Sequence, residues 1–249
     1  MKKPLLLSVL IGLLVTHTAV ATPPPKYNLA NQDAGIASPD ELVSTLDAVS
    51  PNNRTLVWNA DKTMLKVVTW KSQSAYQNFL LPYTQTSSNE DFVIWVTLAP
   101  KVHNFCHNFL TLHPDADQAA LDYRLKQRLG LNPDWQYDVF VELWVSPSDL
   151  FRPCVDPEPT DTSCNLDFGG TPPVVKNIKD YPAFYKNTYY KSFRTSSQVP
   201  WTGLGYTYDW KNATKTAGAL EKGASEFILS PSTPYIVDRA VPTWQYCAQ

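Results

Sequence analysis

Carboxylates, histidines and cysteines are the side chains of this 249-residue chain whose spacing could support chemistry. Glu142 stands between Phe140 and Trp144 in the run YDVFVELWV, where Val139, Val141, Leu143 and Val145 alternate with them in a period of two. One side of that strand is aliphatic and belongs to a core; the mixed side is where a site could form. Glu226 follows Gly223 in GASEFIL and opens an apolar run, so its carboxyl is expected at the mouth of a cleft. Two such acids could act as proton donor and base in glycoside hydrolysis if their carboxyls lay within about 10 Å of each other. His103 and His107, four apart, would share one face of a helix, as zinc ligands do. A zinc site needs a third ligand, and His113 lies beyond a break before Pro114, so no metal is expected. The histidines at 103, 107 and 113 crowd together and no G-x-S-x-G segment occurs, so no Ser-His-Asp set is recognisable. There is no glycine-rich phosphate loop.

Four cysteines, at 106, 154, 164 and 247, allow three pairings. Cys154 and Cys164 flank a loop rich in proline and aspartate with little apolar material to hold it, which favours joining them. Cys106 with Cys247 then ties the C-terminal tail to the body. In chain-entropy terms the long closure is worth up to about 5 kcal/mol and the short one under about 3 kcal/mol. Such a framework belongs in an oxidising compartment. Residues 1–21 read as a bacterial secretory signal: Lys2 and Lys3, an apolar run over 5–15, then Ala19-Val20-Ala21. The expected product is a periplasmic or secreted protein, residues 22–249, forming a single globular domain. No later run is long and apolar enough for membrane insertion. The net charge of −2, falling to −4 without the two N-terminal lysines, leaves no basic stripe for nucleic acid.

Several elements must position these groups. A helix is expected over residues 39–49, with Ser38 as N-cap, Pro39 first and Glu41 completing a capping box. Strands are expected over 56–58 and 64–70, joined by the turn Asn59-Ala60-Asp61-Lys62, and over 92–98, where FVIWVTL is apolar enough to be central. A helix capped by Asp115 should bury Leu121, Leu125 and Leu129 and stop at Gly130. Tyr181, Phe184, Tyr185, Tyr189 and Tyr190 form an aromatic helix or irregular segment. Tyr206, Tyr208 and Trp210 alternate, and GASEFIL and PYIVDRAV make the last two strands. The fold class is therefore α+β, with mainly antiparallel sheets, a few helices and disulfide staples.

The order of these elements resembles the ADP-ribosyltransferase-like toxins of secreted bacterial type. The resemblance rests on the strand 65–70, a second strand ending in Trp95-Val96-Thr97 before a helix, and Gly223-Ala224-Ser225-Glu226-Phe227-Ile228-Leu229 near the C-terminus. It spans roughly residues 54–241. It implies NAD as substrate, with Glu226 stabilising an oxocarbenium-like ribose as nicotinamide departs and Thr97 supporting that glutamate. Arg54 or Lys66 would contact ribose or phosphate, and Trp70 and Trp95 would wall the nicotinamide. Ala224 stands where arginine-modifying members carry a second acid or amide, so hydrolysis of NAD is implied alongside transfer. The alternative is a non-catalytic secreted or periplasmic binding protein that presents the aromatic residues around 181–190 and 201–210 to a partner, with Glu226 a solvated acid.

Overall fold

A computed structural model describes residues 23–195, 198–214 and 222–249; the expected signal segment at 1–21 lies outside them. The described strands are β1 (Leu65–Lys71), β2 (Ile94–Leu98), β3 (Val139–Val145), β4 (Leu150–Phe151), β5 (Tyr206–Tyr208), β6 (Lys222–Leu229) and β7 (Ile236–Pro242). The helices are α1 (Pro25–Asp33), α2 (Gln73–Phe79), α3 (Ala99–Leu112), α4 (Gln118–Arg128), α5 (Tyr181–Arg194) and α6 (Thr243–Ala248). Together they make an α+β fold on one seven-stranded sheet in the order β4-β6-β2-β1-β3-β7, with β5 beside β6. Every pairing is antiparallel.

The alternation in β3 sorts the two faces of the sheet. Val139, Val141, Leu143 and Val145 join Leu65, Val67, Val96, Leu98, Phe227 and Leu229 in one aliphatic layer. That layer is covered by Val49, Leu56, Leu80 and Tyr235 from loops and from the end of α2. On the other face Val68, Trp70, Phe140 and Val241 pack under α3, α4 and α6 through Val102, Cys106, Leu121, Leu125 and Tyr246. Nearer β6, the same face is covered by α5, whose Tyr181 and Phe184 pack with Ile228 and the flank of Trp95. Each aliphatic side chain so buried contributes about 1.5–3 kcal/mol.

Both disulfides are those expected from the spacing: Cys106–Cys247, with Cα atoms 5.2 Å apart, and Cys154–Cys164, at 6.3 Å. The first fastens α6 to α3. The second closes a loop organised around Arg152, whose buried guanidinium donates to Asp161 Oδ1 and to the carbonyls of Asp161 and Ser163.

Three local expectations need correction. The helix expected over 39–49 stops after a single 3₁₀ turn, Pro39–Glu41, although Ser38 N does donate to Glu41 Oε2 at 2.6 Å. Leu46 N and Val49 N donate instead to Thr162 O and Pro159 O, so the disulfide loop takes the hydrogen bonds a helix would have used. The turn at 59–62 forms, but the strand before it is reduced to one bridge, Trp58 to Leu65. The helix capped from Asp115 begins later: Asp117 accepts from Ala120 N at 2.8 Å and α4 starts at Gln118. Gly130, at φ +64°, does terminate it.

A tryptophan-walled cavity over Glu226 as candidate functional site

Two groups of helices cover the same face of the sheet, and a cavity of about 520 Å³ remains between them. Its floor is the polar and aromatic side of β6, β2, β1 and β3: Glu226, Thr97, Trp95, Val68, Trp70 and Phe140. One wall is the turn after α4, where Gly130 redirects the chain through Leu129 and Leu131 toward Tyr137. The other is α5 with Trp201. The start of β6 is drawn close to β5, because a Cβ on Gly223 would come within 2.1 Å of Thr207 Oγ1 and 2.5 Å of Arg128 O. Glycine is what the register allows there.

Glu226 and Thr97 are paired residues across β6 and β2. Thr97 pairs in turn with Val68, Val68 with Glu142, and Glu142 with Arg239, so one line of positions crosses five strands. The two acids on this line have opposite environments. Glu142 is 3% exposed. Arg239 donates to both of its oxygens, at 2.8 and 3.0 Å, and Lys66 Nζ lies 3.3 Å away. Desolvation works to raise its pKa, but the hydrogen bonds from Arg239 and the charges of Lys66 and Arg239 outweigh it and hold the group below the usual range. Glu226 is 7% exposed, so it lies inside the cavity rather than solvated at a mouth. Its Oε1 is buried without a hydrogen-bond partner among the described residues, and burial pushes its pKa up to about 8.

A second orphan lies on a residue of the wall. Trp201 Nε1 is buried with no acceptor among the described residues. The Trp201 ring meets Trp95 edge-on at 6.5 Å and Tyr185 at 4.9 Å. Across the cavity Trp70 is stacked with Tyr137 at 4.6 Å and with Phe140 at 5.3 Å, while its own Nε1 donates to Thr243 Oγ1 at 2.8 Å. Asp91 and Lys191 form an ion pair at the rim, reinforced by Asn187 Nδ2 donating to Asp91 at 3.0 Å. Lys71 borders the cavity, its ammonium pKa lowered by desolvation.

The structure thus brings together four of the six expected site residues: Glu226, Thr97, Trp70 and Trp95. Arg54 is exposed in the segment before β1 and does not line the cavity. Lys66 is engaged with Asp238 at 2.7 Å and with Glu142. Glu142 and Glu226 do not form a glycosidase pair either, because β1 and β2 separate them and three strand spacings amount to about 14 Å. His103 and His107 do share a helix face, with rings 5.9 Å apart; His107 Nδ1 meets Cys247 O at 3.2 Å and His103 packs edge-on to Tyr246. Of the wall residues, Phe184 and Trp201 fall in the aromatic segments 181–190 and 201–210 read above as a surface for a partner, whereas nothing in the spacing marks Trp135 or Tyr137 as part of a site. Comparison of the chain with family models, with curated proteins and with solved structures gives no match in any of the three.

Proposed function

We propose that the tryptophan-walled cavity is a small-molecule site that takes a planar aromatic group, with the nicotinamide end of NAD as the first candidate. The observation that supports this most is the pair of orphans. Glu226 and Trp201 both line the cavity, and each keeps a buried polar atom, Oε1 and Nε1, without a hydrogen-bond partner among the described residues. A buried polar atom left unpaired costs about 1–3 kcal/mol, which a ligand would recover where a small turn of either side chain let it reach the atom. The volume, about 520 Å³, is in the range of small-molecule pockets, and the tryptophan, tyrosine and phenylalanine walls offer stacking faces.

The catalytic form of this reading is favoured by the pairing of Glu226 with Thr97 beneath Trp95. In it the bond between nicotinamide and ribose breaks, its electrons leaving with nicotinamide. Water, or a nucleophile of a target, bonds to the same ribose carbon and gives up a proton. Glu226 as carboxylate would stabilise the ribose cation between these events. The non-catalytic form is favoured by the proton that Glu226 holds near neutral pH and by the distant places of Arg54 and Lys66. Both forms suit a bacterial protein exported to the periplasm or beyond, where the disulfides persist.

The test is a thermal-shift titration of the oxidised protein with NAD, with chromatography of the mixture for nicotinamide. Stabilisation with nicotinamide release supports the catalytic form. Stabilisation without release supports the binding form. No shift and no release would remove NAD as the ligand.

A further inference from the structure

Resting on the reading of this cavity as a ring-binding site, we infer that the group it takes is an organic cation, of the pyridinium or alkylammonium class. The cavity combines the two features that recognise such ions. Aromatic faces attract a cation through their quadrupoles, most strongly tryptophan, and Trp70, Trp95 and Trp201 all line it. The Glu226 carboxyl lies on the floor with no cation paired to it among the described residues. An amide there would donate or accept without ever carrying charge; a carboxyl supplies negative charge when a positive ligand arrives.

The other ionisable groups on the walls leave that role to Glu226. Asp91 is neutralised by Lys191 at the rim, and Glu90 accepts from Lys179 N at 2.9 Å. The Tyr137 phenol is pushed far up by burial and stays neutral. Lys71, on the end of β1, carries no negative charge in either protonation state, and desolvation lowers its pKa, so its positive charge is held less firmly. β5 and β2 present Thr207 and Thr97. Burial alone accounts for the raised Glu226 pKa, so no neighbouring charge fixes its state and an entering cation decides it. Binding would then release a proton from Glu226.

The decisive probes are 1-methylnicotinamide, a cation, and 3-methylbenzamide, its neutral isostere. Isothermal titration across pH 6–9 should show the cation bound at least tenfold more tightly at pH 8.5. Its affinity should rise by nearly tenfold per pH unit below about 8 and then level off, as expected when a proton must leave first. The neutral isostere should show no such slope. Glu226→Gln should abolish the slope and the preference, with a melting curve confirming that it folds; if it does not fold, the wild-type slope alone carries the test. Equal affinities, a preference for the neutral isostere, binding of the cation without a pH slope, or no binding of either probe would overturn the inference. NAD failing to bind while the cation does would overturn only the NAD assignment.

Discussion

Glu226 faces Thr97 directly across the β6–β2 ladder, and two positions beyond Thr97 on the same line Glu142 is gripped by Arg239. One sheet face therefore holds a satisfied carboxylate and an unsatisfied carboxyl. The first serves the fold; the second keeps Oε1 without a hydrogen-bond partner among the described residues, and it is the group we propose meets a ligand.

Stability should report this difference through pH. The folded-state pKa of Glu226, near 8, exceeds its ordinary value of 4.5, so between them the folded protein binds more protons than the unfolded chain. That contribution destabilises as pH rises, is absent below the ordinary value and is complete above about 8. Relative to wild type, Glu226→Gln should be similar at pH 5 and more stable by a few kcal/mol at pH 9, at about 1.4 kcal/mol per tenfold change in proton affinity. Urea denaturation at both values checks it; parallel curves at pH 5 and 9 would contradict it.

Arg239→Ala should act in the opposite sense. It leaves Glu142 buried with Lys66 as its remaining cation, at a cost of about 1–3 kcal/mol at pH 7, the half-exposed arginine placing it below the full penalty of a broken buried pair. Glu142 has a lowered pKa, so its stabilisation is present above the ordinary glutamate range and is lost as pH falls through the folded value. The gap between Arg239→Ala and wild type should therefore narrow toward pH 3.5, as urea midpoints at the two pH values would record.

The disulfides should differ in weight. Replacing Cys106 and Cys247 by serine opens a closure of 141 residues, with a loss of about 5 kcal/mol, whereas replacing Cys154 and Cys164 opens one of 10 and loses under about 3 kcal/mol. Removing the first also frees α6, whose Tyr246 packs on Phe140 at 4.5 Å behind the cavity floor. Guanidinium denaturation of the two double variants should rank them in that order.

The indole nitrogen can be tested separately from its ring. Trp201→Phe keeps an aromatic wall and removes an orphan donor, so stability should change by less than about 1.5 kcal/mol, the lost packing being partly offset. A ligand carrying a carboxamide should bind roughly five- to tenfold more weakly, because a hydrogen bond of about 1 kcal/mol disappears. Titration of nicotinamide against both proteins measures it.

Much of the framework was legible in the sequence because it rests on short-range rules. The period of two at 137–145, the glycine stop at Gly130, the central run ending in Thr97 and the cysteine pairing all depend on neighbours or on simple elimination. The helix expected over 39–49 failed because Thr162 and Pro159, more than a hundred residues away, capture its amide groups. The site was legible only in part for the same reason. Glu226, Thr97, Trp70 and Trp95 lie on strands whose register a pattern can suggest. Trp201 and α5 were visible as aromatic segments, but nothing local places them over the same strands as Glu226, and Arg152 is buried at the centre of a loop that looks polar throughout.

The central proposal for this cavity is that an aromatic ring enters the space above Thr97. Tryptophan fluorescence of the oxidised protein, titrated with 1-methylnicotinamide at pH 8.5, reads that directly because Trp70, Trp95 and Trp201 all line the cavity. Saturable quenching in wild type, lost in a Thr97→Phe variant that fills the floor yet melts cooperatively, is the predicted result. Quenching of equal size and midpoint in both proteins, or none in wild type, would contradict it.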